Sequence, residues 1–170
     1  GVTPRSAAVR LAATVARLHV PGEPAGLASV VPRVTAALRA ALPDLRCVDH
    51  TWDFPFTVAI RQPETVGADR WCNVAAAAAA ALRDAIVVDA GTATTIDVLA
   101  DGVFMGGFIA PGMAFAARKL QEEAARLWTV PFGPVPLVPG RDTGEALAAG
   151  AFHVGTRGVS ATVEALLDER

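Results

Sequence analysis

The fold is decided by residues 86–97, Ile86-Val87-Val88-Asp89-Ala90-Gly91-Thr92-Ala93-Thr94-Thr95-Ile96-Asp97. Three apolar residues run into an aspartate, and this pattern predicts a buried strand, a tight glycine turn and a second strand. Gly91 has no Cβ, so the backbone can approach a ligand closely there. Successive backbone N–H groups in such a turn form an anion-binding concavity. The stretch therefore predicts a phosphate-binding hairpin.

The side chains of this hairpin suit a phosphate and its counter-ion. The hydroxyl groups of Thr92, Thr94 and Thr95 can donate hydrogen bonds to phosphate oxygens. Asp89, at the mouth of the first strand, suits a hard cation that accompanies a phosphate. An isolated D-x-G-T could equally serve packing and β-propensity alone. The whole string favours phosphate binding, because a plain hairpin needs neither the leading acid nor three threonines.

Length and composition exclude several classes of protein. The chain has 170 residues, 52% of them hydrophobic, which fits one globular domain or two small lobes. Its net charge of −2 argues against a broad surface for binding nucleic acid. It contains no run of about 18 uncharged apolar residues, so no membrane span is predicted. Cys47 and Cys72 lack metal-ligand spacing and cannot form a disulfide framework, which fits a reducing cytoplasm.

A run of alanines, Ala75 to Ala81, predicts a close-packed helix from about residue 68 to residue 83. Asp69 and Arg70 would lie in its first turn. A negative charge at that position interacts favourably with the helix dipole, so a pure capping role is an alternative for Asp69. A positive charge there is mildly unfavourable, and Arg70 is therefore expected to meet a ligand or an ion-pair partner.

The other elements follow from periodicity and turn residues. Asp101-Gly102 predicts a turn into a third strand, where Gly106-Gly107 indicates a bulge or a close approach by a ligand or another backbone. Small residues in the last helical region fit either a dimer interface or a packed helix pair. Helices are predicted over residues 4–20, 33–41, 113–127 and 140–170, and further strands over 26–31, 45–48 and 57–60.

Five motifs, in chain order, resemble the type III pantothenate kinase family of the actin-like ATPase superfamily. They are Ala28–Pro32, Val66–Arg70 with Asn73, Asp89–Asp97, Gly106–Gly112, and Gly140–Thr143 with Ala146 and Gly150. The resemblance implies an α/β, ribonuclease-H-like fold of two lobes, with mixed sheets flanked by helices, in a homodimer. Residues 1–84 would be the remainder of the N-terminal lobe. Residues 85–170 would be the C-terminal lobe, its last helices packing back across the lobes.

The resemblance also implies an activity: a cytoplasmic enzyme that transfers the ATP γ-phosphoryl group to pantothenate, the first step of coenzyme A biosynthesis. ATP, Mg²⁺ and a monovalent cation (K⁺ or NH₄⁺) would be required. Matching positions carry the family's roles. Asp69 would be the general base, and the pantothenate-binding residues would be Gly67, Ala68, Asp69 and Arg70. The ATP-binding residues would be Gly91, Thr92 and Thr94, Asp89 would be the monovalent-cation ligand, and Thr143 would be a pantothenate contact supplied across the dimer. A guanidinium fork such as that of Arg70 suits the pantothenate carboxylate.

The chain departs from the family in two places. The family begins with a strand carrying D-x-G-N-T, whose acid serves Mg²⁺-ATP, and no segment here matches it; we therefore expect the N-terminal strands to be missing from this chain. Ile60 stands where the family usually has a tyrosine that contacts pantothenate. Two alternatives stay open: a non-catalytic regulatory or binding relative, and an actin-like phosphatase or a kinase for another small hydroxy acid.

Overall fold

The computed structural model describes residues 4–123 and 131–169. The described residues form an α/β structure, and the predicted order of helices and strands is confirmed. The elements are α1 (Pro4–Leu18), β1 (Gly26–Leu27), α2 (Pro32–Ala41), β2 (Arg46–Cys47), β3 (Thr57–Val58), α3 (Ala68–Ala79), β4 (Ala85–Ala90), β5 (Ala93–Ala100), β6 (Val103–Pro111), α4 (Met113–Glu123) and α5 (Thr143–Asp168). Residues 124–127, the predicted end of α4, lie outside the described residues.

Several elements end earlier than predicted, for local reasons. β1 stops at Leu27 because the chain turns at Ser29, whose hydroxyl accepts the Val31 N–H (3.2 Å) just before Pro32 opens α2. α3 ends at Ala79, four residues before the predicted Arg83. Its end is closed by Ala81, which adopts a left-handed conformation with φ of 61°.

The structure contains two sheets among its described residues. β1 and β2 form a parallel pair, in which Gly26 lies opposite Arg46. The second sheet has the order β3-β6-β5-β4, and β3 runs parallel to β6. The links between β4, β5 and β6 are two residues long, which only antiparallel neighbours can accommodate. The second sheet is therefore mixed, as the fold class predicted.

The glycine signals in the β5–β6 hairpin are confirmed. Asp101 and Gly102 both have positive φ angles, 50° and 73°, as a type I′ turn requires. Gly106 also has a positive φ, of 100°. A Cβ on Gly107 would collide with the carbonyl oxygen of Ile96 on β5. The close approach predicted at this glycine pair is thus made, at Gly107, by a neighbouring backbone.

The described chain divides into two compact units. Unit 1 contains the described residues of 1–84 with residues 99–105, and unit 2 contains those of 85–98 and 106–170. In unit 1, α1 packs on α2 through Ala8, Ala12, Leu38 and Leu42, and the deepest side chains are Trp71, Val74, Leu99 and Phe104. In unit 2, the buried residues include Thr94 to Asp97 on β5 and Ala117 on α4.

The residues of the long helix α5 are exposed or half-buried, and none of those described is fully buried. Gly155 packs against the side chain of Met113 on α4, so a packed helix pair accounts for this small residue. Gly150 and Gly158, by contrast, have open space where a Cβ would stand. Among the described helices, none has the length and apolar character needed to cross a membrane.

Candidate active site

The predicted substrate-binding strip forms the start of α3 in unit 1. Gly67 has an extended conformation (φ −62°, ψ 146°) and precedes the first helical residue, Ala68, which is buried. A Cβ on Gly67 would collide with the carboxylate oxygen Oδ1 of Asp69 and would lie 3.1 Å from Cγ1 of Val30. Glycine is therefore favoured here by close side-chain contact, and not by a positive φ angle.

Asp69 presents an exposed carboxylate on the first turn of α3. Its Oδ1 accepts the backbone N–H of Arg70 at 2.8 Å. The same N–H also donates to the carbonyl oxygen of Gly67 at 3.1 Å, so Asp69 adds a second acceptor to a donor that the backbone already satisfies. Because the side chain stays exposed, the carboxylate can also accept a proton from a bound hydroxyl group.

Val30 belongs to the Ala28–Pro32 motif, but reasoning from the sequence did not place it beside this strip. It is 57% exposed, yet its side chain lies directly beside Gly67. The fold thus brings the Ala28–Pro32 segment against the Val66–Arg70 segment. No spacing signal could have shown this, because the two segments are separated by α2, β2 and β3.

Arg70 lies half-buried beside aromatic residues of the same unit. Its Cζ atom is 5.9 Å from the centre of the Phe104 ring, within the range of a cation–π interaction. Ile60, at the position where the family usually has a tyrosine, is half-buried after β3.

Cys72 lies one helical turn after Asp69 and is a second residue that the sequence did not single out. Burial raises the pKa of its thiol above the ordinary value, and the negative charge of Asp69 raises the pKa further. The thiol therefore stays protonated at neutral pH, which makes it a packing group and a poor nucleophile.

The predicted phosphate hairpin is the β4–β5 connection of unit 2. Asp89, Gly91 and Thr92 are exposed, whereas Thr94 is buried with 3% of its surface accessible. The Thr94 hydroxyl has no hydrogen-bond partner among the described residues. Asp97, the second acid of the stretch, is fully buried. The exposed residues of the hairpin thus include its first acid, its glycine and its first threonine.

The backbone of this turn is tied down on both sides. The Gly91 N–H donates to the carbonyl oxygen of Ala93 at 2.9 Å, so this donor is already satisfied within the hairpin. The Gly112 N–H donates to the carbonyl oxygen of Thr92, also at 2.9 Å. A Cβ on Gly112 would collide with the carbonyl oxygens of Gly91 and Thr92. The predicted concavity of free N–H groups therefore does not include that of Gly91.

The carboxylate of Asp89 is an oxygen ligand of the kind that hard cations prefer. The described residues contain no group of three or more His, Cys, Asp or Glu side chains able to hold a metal ion. A cation at Asp89 would therefore need backbone oxygens, water or substrate oxygens for the rest of its coordination shell.

Thr143, the predicted partner-supplied contact, is the exposed first residue of α5. The helix starts with reciprocal capping: the Asp142 carboxylate accepts the Glu145 N–H, and the Glu145 carboxylate accepts the Arg141 N–H, both at 2.8 Å. This capping fixes the backbone on either side of Thr143. Thr143 belongs to unit 2, as the phosphate hairpin does, whereas Gly67 to Arg70 belong to unit 1.

Comparison with known proteins identifies the family. The family model for type III pantothenate kinase matches residues 3–165. The chain belongs to the type III pantothenate kinase family. Every site residue that the motifs predicted lies within the matched region.

Curated type III pantothenate kinases are similar to much of the chain. That of Thermomicrobium roseum is 44% identical over 137 residues, which cover 76% of this chain and 53% of that protein. That of Desulfosudis oleivorans is 38% identical over 152 residues, covering 85% of this chain and 59% of that protein. The chain thus spans between about half and three fifths of the length of these type III pantothenate kinases.

A solved structure is similar in fold. It is described as a conserved putative Baf family transcriptional activator from Campylobacter jejuni, and it superposes with a TM-score of 0.54 at 23% sequence identity. The match covers 89% of this chain and 67% of that one. The fold of this type III pantothenate kinase family member is therefore shared with that protein.

Proposed function

We propose that the complete protein is an ATP-dependent pantothenate kinase that forms 4'-phosphopantothenate in the first step of coenzyme A biosynthesis. The observation that carries this proposal is the first turn of α3. There an exposed carboxylate, Asp69, is followed directly by a guanidinium, Arg70, and Gly67 leaves the space that the Asp69 side chain occupies. Pantothenate has a primary hydroxyl and a carboxylate, the two groups that these side chains suit.

The reaction assigns one step to each side chain. Arg70 pairs with the carboxylate of pantothenate and orients the molecule. Asp69 accepts the proton of the primary hydroxyl as its oxygen attacks the γ-phosphorus in line with the leaving ADP oxygen. Phosphoryl transfer depends mainly on positioning and charge neutralisation, so these few groups can supply much of the catalysis.

The ATP side of the reaction is assigned to the β4–β5 hairpin. Thr92 offers an exposed hydroxyl to a phosphate oxygen, and Gly91 allows the phosphate to approach the backbone. Asp89 would hold the monovalent cation, K⁺ or NH₄⁺, which with Mg²⁺ neutralises phosphate charge. Thr94 would reach ATP only if the hairpin opened, because its hydroxyl is buried in the present arrangement.

The finer architecture is part of the same proposal. The division into two compact units supports a two-lobe, actin-like fold of the ribonuclease-H type. The open space at Gly150 and Gly158 and the 74% exposure of Val154 support a homodimer formed through α5, with Thr143 contributing to the partner's pantothenate site. The free thiols of Cys47 and Cys72 support a cytoplasmic location.

The test is phosphorylation of pantothenate by protein from the complete reading frame, with Asp69→Asn and a matched control, Glu64→Gln. Glu64 is an exposed acid in the short 3₁₀ helix, Pro63–Thr65, that precedes α3. We expect ATP-dependent product from the wild type and from Glu64→Gln. Asp69→Asn should be roughly 10²- to 10⁴-fold slower.

A folded complete protein that gives no product from pantothenate would sink this assignment. Binding of ATP and pantothenate without turnover would then favour the non-catalytic relative, which the satisfied N–H of Gly91 favours independently. Turnover of another hydroxy acid would instead indicate a changed substrate, consistent with Ile60.

A further inference from the structure

Val30 is an exposed apolar residue that lies beside the carboxylate of Asp69. Both side chains approach the point where a Cβ on Gly67 would stand: Cγ1 of Val30 lies 3.1 Å from it, and Oδ1 of Asp69 lies closer still. These two atoms are therefore less than about twice 3.1 Å apart. All three residues belong to unit 1. Because Val30 keeps 57% of its surface exposed in this position, a ligand bound at Asp69 can also contact it.

Backbone hydrogen bonds hold the segment around Val30 in place. The N–H of Val31 donates to the hydroxyl of Ser29 at 3.2 Å. The carbonyl oxygen of Val31 accepts the N–H groups of Val34 and Thr35, at 2.9 and 3.1 Å, which ties the segment to the start of α2. Valine is branched at Cβ and has few rotamers. The side chain of Val30 therefore loses little conformational freedom when a ligand packs against it.

The chemistry of pantothenate gives this position a meaning that exposure alone would not. A single exposed valine is ordinary on a protein surface. In pantothenate, however, the carbon next to the one that bears the primary hydroxyl carries two methyl groups. General-base catalysis places the hydroxyl within about 3 Å of the carboxylate, and apolar groups are in contact within about 4 Å. With the hydroxyl at Asp69, the methyl groups therefore lie within reach of Val30.

We propose that Val30 is a specificity-determining residue, which packs against the paired methyl groups of pantothenate while Asp69 accepts the hydroxyl proton. This inference rests on the proposed function, because it takes the role of Asp69 from it. It gives the Ala28–Pro32 motif a contact with the substrate. A hydroxy acid without the methyl groups would bury less apolar surface against the valine, so the enzyme would discriminate against it.

The test compares pantothenate with an analogue in which hydrogen atoms replace both methyl groups. The complete wild-type protein is assayed beside Val30→Ala and Val30→Thr, of which the second keeps the branched shape of valine. The readout is the ratio of kcat/KM for pantothenate to kcat/KM for the analogue, because a loss of folded protein lowers both values equally. We expect this ratio to fall roughly three- to tenfold in both variants.

Val9→Ala is the matched control. Val9 is 58% exposed, close to the exposed fraction of Val30, and it lies on α1 outside the five motifs. The ratio for Val9→Ala should equal that of the wild type.

Two results would overturn the role of Val30 alone. One is a ratio that both Val30 variants leave unchanged, even if both kcat/KM values fall, because Val30 would then only support the backbone beside Gly67. The other is an equal fall of the ratio in Val9→Ala, because the effect would then not depend on the position beside Asp69. A wild-type protein that phosphorylates neither compound would refute the proposed function, and this inference with it, so the two failures can be told apart.

Discussion

Gly67→Ala tests whether glycine is needed before α3 because of Asp69. The backbone at Gly67 is extended, with φ of −62°, a conformation that alanine adopts without strain. The added Cβ would nevertheless collide with Oδ1 of Asp69. The substitution should therefore displace the proposed general base while leaving the backbone intact.

The expected stability change is the difference of two small effects. Displacing Asp69 breaks its hydrogen bond to the Arg70 N–H, which contributes about 1 kcal/mol at most, because the same N–H keeps its bond to the Gly67 carbonyl oxygen. Replacing glycine by alanine stabilises by about 0.4–1 kcal/mol, because the unfolded chain loses conformational freedom. Wild-type stability should thus fall by about 0.5 kcal/mol or less. In an Asp69→Ala background only the 3.1 Å approach to Cγ1 of Val30 remains, so the same substitution should lower stability less than it does in the wild type.

The catalytic change should be larger than the stability change. A displacement of about 1 Å at a reacting group can cost roughly a hundredfold in rate, so Gly67→Ala should lower kcat for pantothenate phosphorylation by about that factor. Gly26→Ala is the matched control, because a Cβ there has no neighbour within 4 Å. Urea unfolding and steady-state kinetics of the complete protein measure both effects. Unchanged kcat, with equal stabilisation in both backgrounds, would refute the predicted collision.

Three further predictions follow from other sites. Ala81→Gly should stabilise the protein by about 0.5–1 kcal/mol in urea unfolding, because glycine avoids the left-handed penalty of alanine; destabilisation would contradict the positive φ at this residue. Gly112→Ala should weaken ATP binding by roughly tenfold and lower the free energy of unfolding by about 1–3 kcal/mol, because the added Cβ would press on the β4–β5 turn. An unchanged affinity for ATP in a nucleotide titration would argue against this contact. The alkylation rate of Cys72, followed by mass spectrometry, should be low at neutral pH and rise as pH rises towards its elevated pKa. Asp69→Asn should increase this alkylation rate, because the negative charge of Asp69 is the second cause of the raised pKa of Cys72. An unchanged rate would show that this charge does not affect the thiol.

Local signals in the sequence predicted the elements well, because their causes lie within a few residues. Asp101-Gly102 forms the turn that its positive φ angles require. The end of α3 was misplaced for a related reason. An unbroken alanine run contains no glycine to mark a left-handed stop, so nothing in it distinguishes Ala79 from Ala81.

The contacts that shape the candidate site have causes far apart in the chain. The motif containing Gly112 could be recognised, but not that this glycine lies against the Gly91 turn, since that contact depends on how β6 returns beside β5. The Phe104 ring beneath Arg70 depends likewise on the pairing of β3 with β6. Periodicity tells which residues form a strand, but not which distant side chain will lie next to it. The chemistry proposed for Asp69, Arg70 and Thr92 therefore rests on residue type, whereas the residues that lie against them could be identified only from the structure.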